Sequence, residues 1–127
     1  MALSPDGYLV VTEFPWRAGQ LSGRNGRLEQ ARPARVSVLD LAGRAQARFG
    51  SGTPGDASTF AAPHGVAVDS SGDIYIAEVT YSLSHSWLAD SEEERRDLAQ
   101  RQTLRKFVRS VVGTDSRHRA ALSANIG

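Results

Sequence analysis

Cysteine is absent from the 127 residues, which excludes disulfide staples, thiolate metal ligands and a cysteine nucleophile without fixing a compartment. No apolar run approaches the roughly 18 residues a membrane-spanning helix needs. The start, Met1 to Gly7, has neither the basic opening nor the apolar stretch of a secretory leader, so no export signal or membrane contact is indicated and localisation stays open. Lysine is nearly missing: Lys106 is the only one among 15 basic residues. An arginine bias of that kind reads as genomic base composition rather than a phosphate-binding role. Charge of either sign is scarce in the balance, +1 overall, which gives no global attraction to nucleic acid or to an anionic surface. Locally the balance shifts: arginines outnumber acids from Glu13 to Gly50, the middle from Ser51 to Gln100 is acidic, and Arg101 to Arg119 is basic again. What remains is a globular composition, 40% hydrophobic and 23% charged, with length for one ordinary domain.

An internal repeat is the most informative feature present. Ala2-Leu3-Ser4-Pro5-Asp6-Gly7-Tyr8-Leu9-Val10-Val11-Thr12-Glu13 aligns without a gap on Ala67-Val68-Asp69-Ser70-Ser71-Gly72-Asp73-Ile74-Tyr75-Ile76-Ala77-Glu78. Each copy reads as a short apolar strand, a tight turn ending in glycine and an alternating strand finishing on glutamate. Ser4 or Asp69 supplies the side-chain acceptor of the turn, and Gly7 or Gly72 the positive φ that closes a hairpin. Farther on, Arg35-Val36-Ser37-Val38-Leu39 resembles Thr103-Leu104-Arg105-Lys106-Phe107, each a basic-flanked strand after a long insertion. After the first of these, Asp40 to Gly43 turns the chain into another strand, Arg44 to Phe49.

One unit therefore reads strand, tight turn, strand, long loop, strand, tight turn, strand: a four-stranded antiparallel meander. Such a sheet needs both faces covered, which a ring of similar sheets provides. The edge of a β-sandwich is the structural alternative. The expectation is all-β, a β-propeller fragment: residues 1–50 a partial first blade with an insertion at 14–34, 51–62 a connector, 63–112 a second blade with a helical insertion at 82–102, and 113–127 a tail or the start of a next strand. Closed propellers need four to eight blades. Two blades imply either a piece of a longer protein or several copies closing one ring.

Phe60 to Glu78, containing Pro63-His64-Gly65-Val66-Ala67-Val68-Asp69 and Gly72-Asp73-Ile74-Tyr75-Ile76-Ala77-Glu78, resembles the signature of NHL repeats. In these a Pro-x-Gly-Val-Ala-Val-Asp strand precedes a Gly-Asn-Ile-Tyr-Val-Ala-Asp strand. Val36 to Gly50 is similar to the second half of such a repeat. The resemblance implies a six-bladed parent. It departs from the family where insertions from Phe14 to Ala34 and from Val79 to Gln102 replace the usual Asp-x-x-Asn-x-Arg link.

In a meander, the loop entering the first strand and the loop joining the second to the third lie on the same edge. Pro63, His64, Glu13, Glu78 and both insertions are thus expected on one rim, the place where rigid scaffolds carry function. Pro-His-Gly-Val resembles the zinc-binding motif of peptidyl-hydroxyglycine amidating lyases. That resemblance implies His64 as a zinc ligand and the backbone carbonyl of Val66 as a calcium ligand; the other reading of His64 is a backbone-bonded histidine at a loop–strand junction. Zinc catalysis needs about three protein ligands, and neither His85 nor His118 shows ligand spacing. Arg17 and Tyr81 have suitable chemistry and a rim position. Glu13 and Glu78 are read either as acceptors of backbone hydrogen bonds within their own blades or as general acid–base groups.

Ser91-Glu92-Glu93-Glu94 is a capping-box pattern that predicts a short helix running to Gln100, with a Glu92–Arg96 pair. The glycines from Gly19 to Gly26 lack the spacing of a phosphate loop and read as a flexible polar loop. These observations lead to a binding scaffold whose decorated rim takes a protein or small-molecule ligand. The alternatives are a zinc-dependent lyase-like propeller and an RNA-binding propeller, the latter disfavoured by the acidic middle. Self-association is expected if the chain is complete.

Overall fold

The computed structural model describes residues 1–22, 26–51, 59–80, 91–110 and 121–124. The strands run β1 (Ala2–Leu3), β2 (Leu9–Glu13), β3 (Leu21–Ser22), β4 (Gly26–Arg27), β5 (Arg35–Leu39), β6 (Ala45–Phe49), β7 (Pro63–Val68), β8 (Ile74–Glu78), β9 (Leu104–Ser110) and β10 (Ala121–Ala124), with the helix α1 (Glu92–Gln100) between β8 and β9. They form two four-stranded antiparallel sheets, ordered β1-β2-β5-β6 and β7-β8-β9-β10, and a small ribbon β3-β4. Ala121–Ala124 pairs with β9 and gives the second sheet its fourth strand.

Three turns share one construction. Gly7 N–H donates to the Ser4 carbonyl and Ser4 N–H to that of Tyr8; the same two bonds recur at Asp40, Gly43 and Arg44, and at Asp69, Gly72 and Asp73. In each the glycine takes a φ of 81–86°, where a β-carbon would clash with its own backbone. Side-chain acceptors fix the bend: Ser4 Oγ takes the Tyr8 N–H, and Asp69 Oδ1 those of Ser71 and Asp73. Local sequence therefore sets strand register before any packing occurs.

That register brings non-equivalent faces of the two repeat copies together across one interface. Alternation puts Val10, Thr12, Val36 and Val38 on one face of the first sheet, and Val66, Val68, Ile74, Ile76, Glu78, Arg105 and Phe107 on one face of the second. The two faces close on each other. Val10, Val36, Ile74, Ile76, Phe60 and Phe107 form the buried core, with Val38, Phe49, Val66 and Val68 packed against it. Each fully buried Val or Ile contributes about 1.5–3 kcal/mol. Phe49, Phe60 and Phe107 meet with ring centroids 5.0–6.0 Å apart and tilted planes, the arrangement aromatic quadrupoles favour. Gly50 makes room for this cluster, since a β-carbon there would overlap the edge of the Phe60 ring, 2.0 Å from its nearest carbon. On the turn side, Arg109 Nη1 reaches Asp6 Oδ2 at 2.6 Å and ties β9 to the β1–β2 turn across the interface.

The first insertion differs from the expected flexible polar loop. It continues β2 and β5 outward as a paired arm: Trp16 and Arg32 exchange both backbone hydrogen bonds, and Gly19 N–H and Leu28 N–H bond across to Leu28 and Gln20. Gly19, at φ 79°, and Gly26, which opens β4 at φ 66°, both take the left-handed backbone that favours glycine. In the second insertion α1 begins where the capping pattern sets it, with Ser91 Oγ accepting the Glu94 N–H. Glu92 pairs with Arg95 rather than with Arg96, and Asp97 with Arg101. Leu98 is its buried anchor.

Candidate functional site

The end of β2 and the base of the arm enclose a cleft of about 300 Å³ lined by Glu13, Phe14, Trp16, Ala31, Arg32, Pro33 and Arg35. The pairing of Glu13 opposite Arg35 builds it. Cross-strand neighbours on one face bring carboxylate and guanidinium together, with Arg35 Nε donating to Glu13 Oε2 at 2.8 Å and Nη2 at 2.7 Å from the same oxygen. Ser37 Oγ donates to Glu13 Oε1. Partial burial pushes the Glu13 carboxyl up, and the Arg35 and Ser37 donors together more than reverse this, leaving it below its ordinary value. Arg35 is correspondingly raised. A carboxylate held ionised in this way is a poor proton donor at neutral pH. Glu13 is one half of a fixed ion pair, and the cleft's remaining charge is Arg32, whose side chain is exposed.

Phe14 connects the cleft to β7. Its ring meets the edge of the His64 imidazole, centroids 6.5 Å apart and planes at 87°, and Thr12 Oγ1 donates to the His64 carbonyl at 3.2 Å. His64, Glu13 and the arm therefore share one rim. The His64 side chain is exposed, and among the described residues no group of three His, Asp or Glu side chains is disposed to hold a metal. Val66 sits in mid-strand opposite Ile76, packed against the core. Arg17 lies in the arm, its backbone N–H bonded to Gln20 Oε1, and does not line the cleft. Tyr81, His85 and His118 lie outside the described residues.

Glu78 occupies the position equivalent to Glu13 in the repeat but has a different environment. Its side chain is 1% exposed. Oε1 accepts the backbone N–H groups of Ala61 and Ala62 at 2.6 and 3.1 Å, and Oε2 accepts Arg105 Nη2. Arg105 also donates to the Thr59 carbonyl and stacks 4.2 Å above the Phe60 ring. The carboxylate clamps the connector of residues 59–62 onto its own blade and does not line the cleft. Of the two readings left open by the sequence, Glu78 takes the structural one.

Sequence reasoning missed Trp16 and Arg32 because they lie inside an insertion with no motif. The only available signal was an aromatic and a basic residue flanking the glycine-marked turns of the arm. No curated protein and no solved structure matches the chain. The family model of the NHL repeat matches residues 60–83, a stretch that takes in β7 and β8 and agrees with the antiparallel, propeller-like sheets.

Proposed function

We propose that this propeller segment binds a protein partner through the rim cleft, with Trp16 and Phe14 receiving an apolar anchor and Arg32 an adjacent carboxylate. One observation carries this reading: a concave site holding two aromatic rings and an exposed arginine, at the base of an arm on the decorated rim. Tryptophan and arginine supply much of the energy of protein interfaces, tryptophan through a large rigid apolar ring and arginine through charge-assisted, often bidentate hydrogen bonds to carboxylates. About 300 Å³ is at the lower bound for small-molecule pockets and suits a single inserted side chain. Glu13 is neutralised by Arg35, so Arg32 sets the sign of the preferred ligand.

The test is a peptide array varying an aromatic or aliphatic residue beside aspartate or glutamate, followed by Trp16 fluorescence titration in a Trp87→Phe background. Acidic, apolar peptides should quench Trp16. Arg32→Glu should weaken them at least tenfold, and Trp16→Ala should abolish binding on the array, with circular dichroism unchanged in both variants. Peptides bound equally by wild type, Arg32→Glu and Trp16→Ala would overturn the assignment.

A further inference from the structure

His64 stands beside the cleft in a conformation that regular strand pairing would not give it. The register of β7 and β8 slips around it: Pro63 pairs with Glu78 and Gly65 with Ala77, so His64 is the extra residue of a β-bulge. A bulge takes one residue out of the ladder and re-aims its side chain. Gly65 accommodates this one, because a β-carbon there would lie 3.3 Å from that of Ala77, tighter than ordinary contact. The main chain at the bulge is held from the neighbouring sheet, where Thr12 Oγ1 donates to the His64 carbonyl. The imidazole is held less firmly. It is exposed, it meets Phe14 edge to face, and among the described residues neither ring nitrogen has a hydrogen-bond partner. A pinned backbone presenting an unbonded polar ring suits a residue whose partner arrives from outside.

We infer, resting on the protein-binding reading proposed above, that His64 is a further recognition residue of the rim cleft: its imidazole donates a hydrogen bond to the main-chain carbonyl of the partner residue whose side chain the cleft receives. Phe14 is the link. It lines the cleft and touches the His64 ring, centroids 6.5 Å apart, so a side chain packed on Phe14 brings its own peptide unit beside the imidazole. Every inserted residue carries such a carbonyl, whatever its neighbours, whereas Arg32 meets a carboxylate that only some partners possess. Arg32 therefore selects acidic partners, and His64 orients any partner that inserts an anchor. The imidazole carries an N–H donor whether neutral or protonated. The site then draws on both sheets, with Phe14, Trp16 and Arg32 from the β2–β5 connection and His64 from β7.

The experiment titrates wild type, His64→Ala, His64→Gln and His64→Phe by Trp16 fluorescence in the Trp87→Phe background, with EDTA present so that no metal contributes. The probes are an array-selected peptide with one apolar anchor beside glutamate, and the same peptide with an ester in place of the amide after the anchor. An ester carbonyl is the weaker acceptor. The His64 side chain is exposed, and circular dichroism confirms that each variant is folded. His64→Ala and His64→Phe should each weaken the amide peptide about fivefold, the worth of one net hydrogen bond. His64→Gln keeps a side-chain N–H donor and should stay within about twofold of wild type. The ester peptide should bind wild type more weakly than the amide and lose nothing further in His64→Ala, because the two changes remove the same bond. If His64→Phe bound like wild type while His64→Gln did not, the ring would serve only to pack on Phe14 and the inference would be overturned. Ester and alanine losses that simply add would overturn it too. A wild type that bound no acidic, apolar peptide would instead remove the protein-binding reading, and this inference with it.

Discussion

Replacing Glu78 by alanine should destabilise the fold far more than the same change at Glu13, although the two residues are equivalent in the repeat. The Glu78 carboxylate accepts the Ala61 and Ala62 N–H groups and the Arg105 guanidinium, in a site where Glu78 is 1% and Arg105 14% exposed. Breaking a buried pair by removing one partner costs about 3–5 kcal/mol. The lower end applies here, because Arg105 retains the Thr59 carbonyl and the Phe60 ring. Glu13 and Arg35 are each about one-third exposed, and a pair so open to water is worth about 1 kcal/mol or less. With a urea m-value of about 2 kcal/mol/M, Glu78→Ala should lower the unfolding midpoint by about 1.5 M, and Glu13→Ala by less than about 0.5 M. Glu78→Gln keeps the volume and one acceptor and should fall between them. Denaturation followed by circular dichroism at fixed protein concentration measures all three, and a double-mutant cycle with Arg105→Ala isolates the pair. If Glu78→Ala cost no more than Glu13→Ala, the connector clamp would not be a stabilising element and the argument from burial would fail.

Gly50→Ala should cost about 2–4 kcal/mol, combining an unfavourable positive φ with displacement of the Phe60 ring; a thermal melt reads it, and a neutral result would contradict the packing described. Phe107→Ala, at the centre of the aromatic cluster, should cost about 3–5 kcal/mol, again read by denaturation. Acid should weaken the fold. At Glu13, burial is outweighed by the Arg35 and Ser37 donors, and at Asp6 the Ser4 hydroxyl leads and Arg109 adds to it, so both carboxyls are lowered in the folded chain. Their contribution is complete above the ordinary values of 4.5 and 3.8 and is lost as pH falls through the folded ones. A urea midpoint unchanged between neutral pH and about pH 3 would refute this. Ser91→Ala removes the acceptor of the Glu94 N–H and should cost α1 about 1 kcal/mol, seen as faster amide exchange in residues 92–100.

The sheets were legible wherever a residue type has a local physical role. Gly7, Gly43 and Gly72 mark turns because only glycine takes that backbone conformation cheaply, and these turns set the registers that pair Leu3 with Leu9, Leu39 with Ala45 and Val68 with Ile74. Ser91 marks a helix start for a similar reason. The arm was not legible, since β3 and β4 have two residues each and no alternation to read; their pairing is carried by backbone groups, which every sequence possesses. Glu92 could pair with Arg95 or Arg96, both within reach on a helix, and only the folded geometry selects Arg95. The duties of Glu13 and Glu78 were equally undecided, because a carboxylate at a strand end does not reveal whether a connector will cross it. Sequence places the rim, and packing decides which rim residues serve the fold.

That division has a consequence for where specificity resides. The β2–β5 and β8–β9 connections leave equivalent points of equivalent blades, yet one becomes a ribbon carrying Trp16 and Arg32 and the other includes a helix anchored by Leu98. Their strands and turns are shared because blade packing demands them, so a change there is felt as lost stability. The insertions carry no such demand beyond a few anchoring contacts, and a change at Trp16 or Arg32 leaves the Val36–Ile76 core untouched. Recognition can therefore vary on the rim independently of the scaffold. The same separation predicts that ligand binding and fold stability respond to different substitutions, the first to Arg32 and Trp16 and the second to Val36 and Ile76.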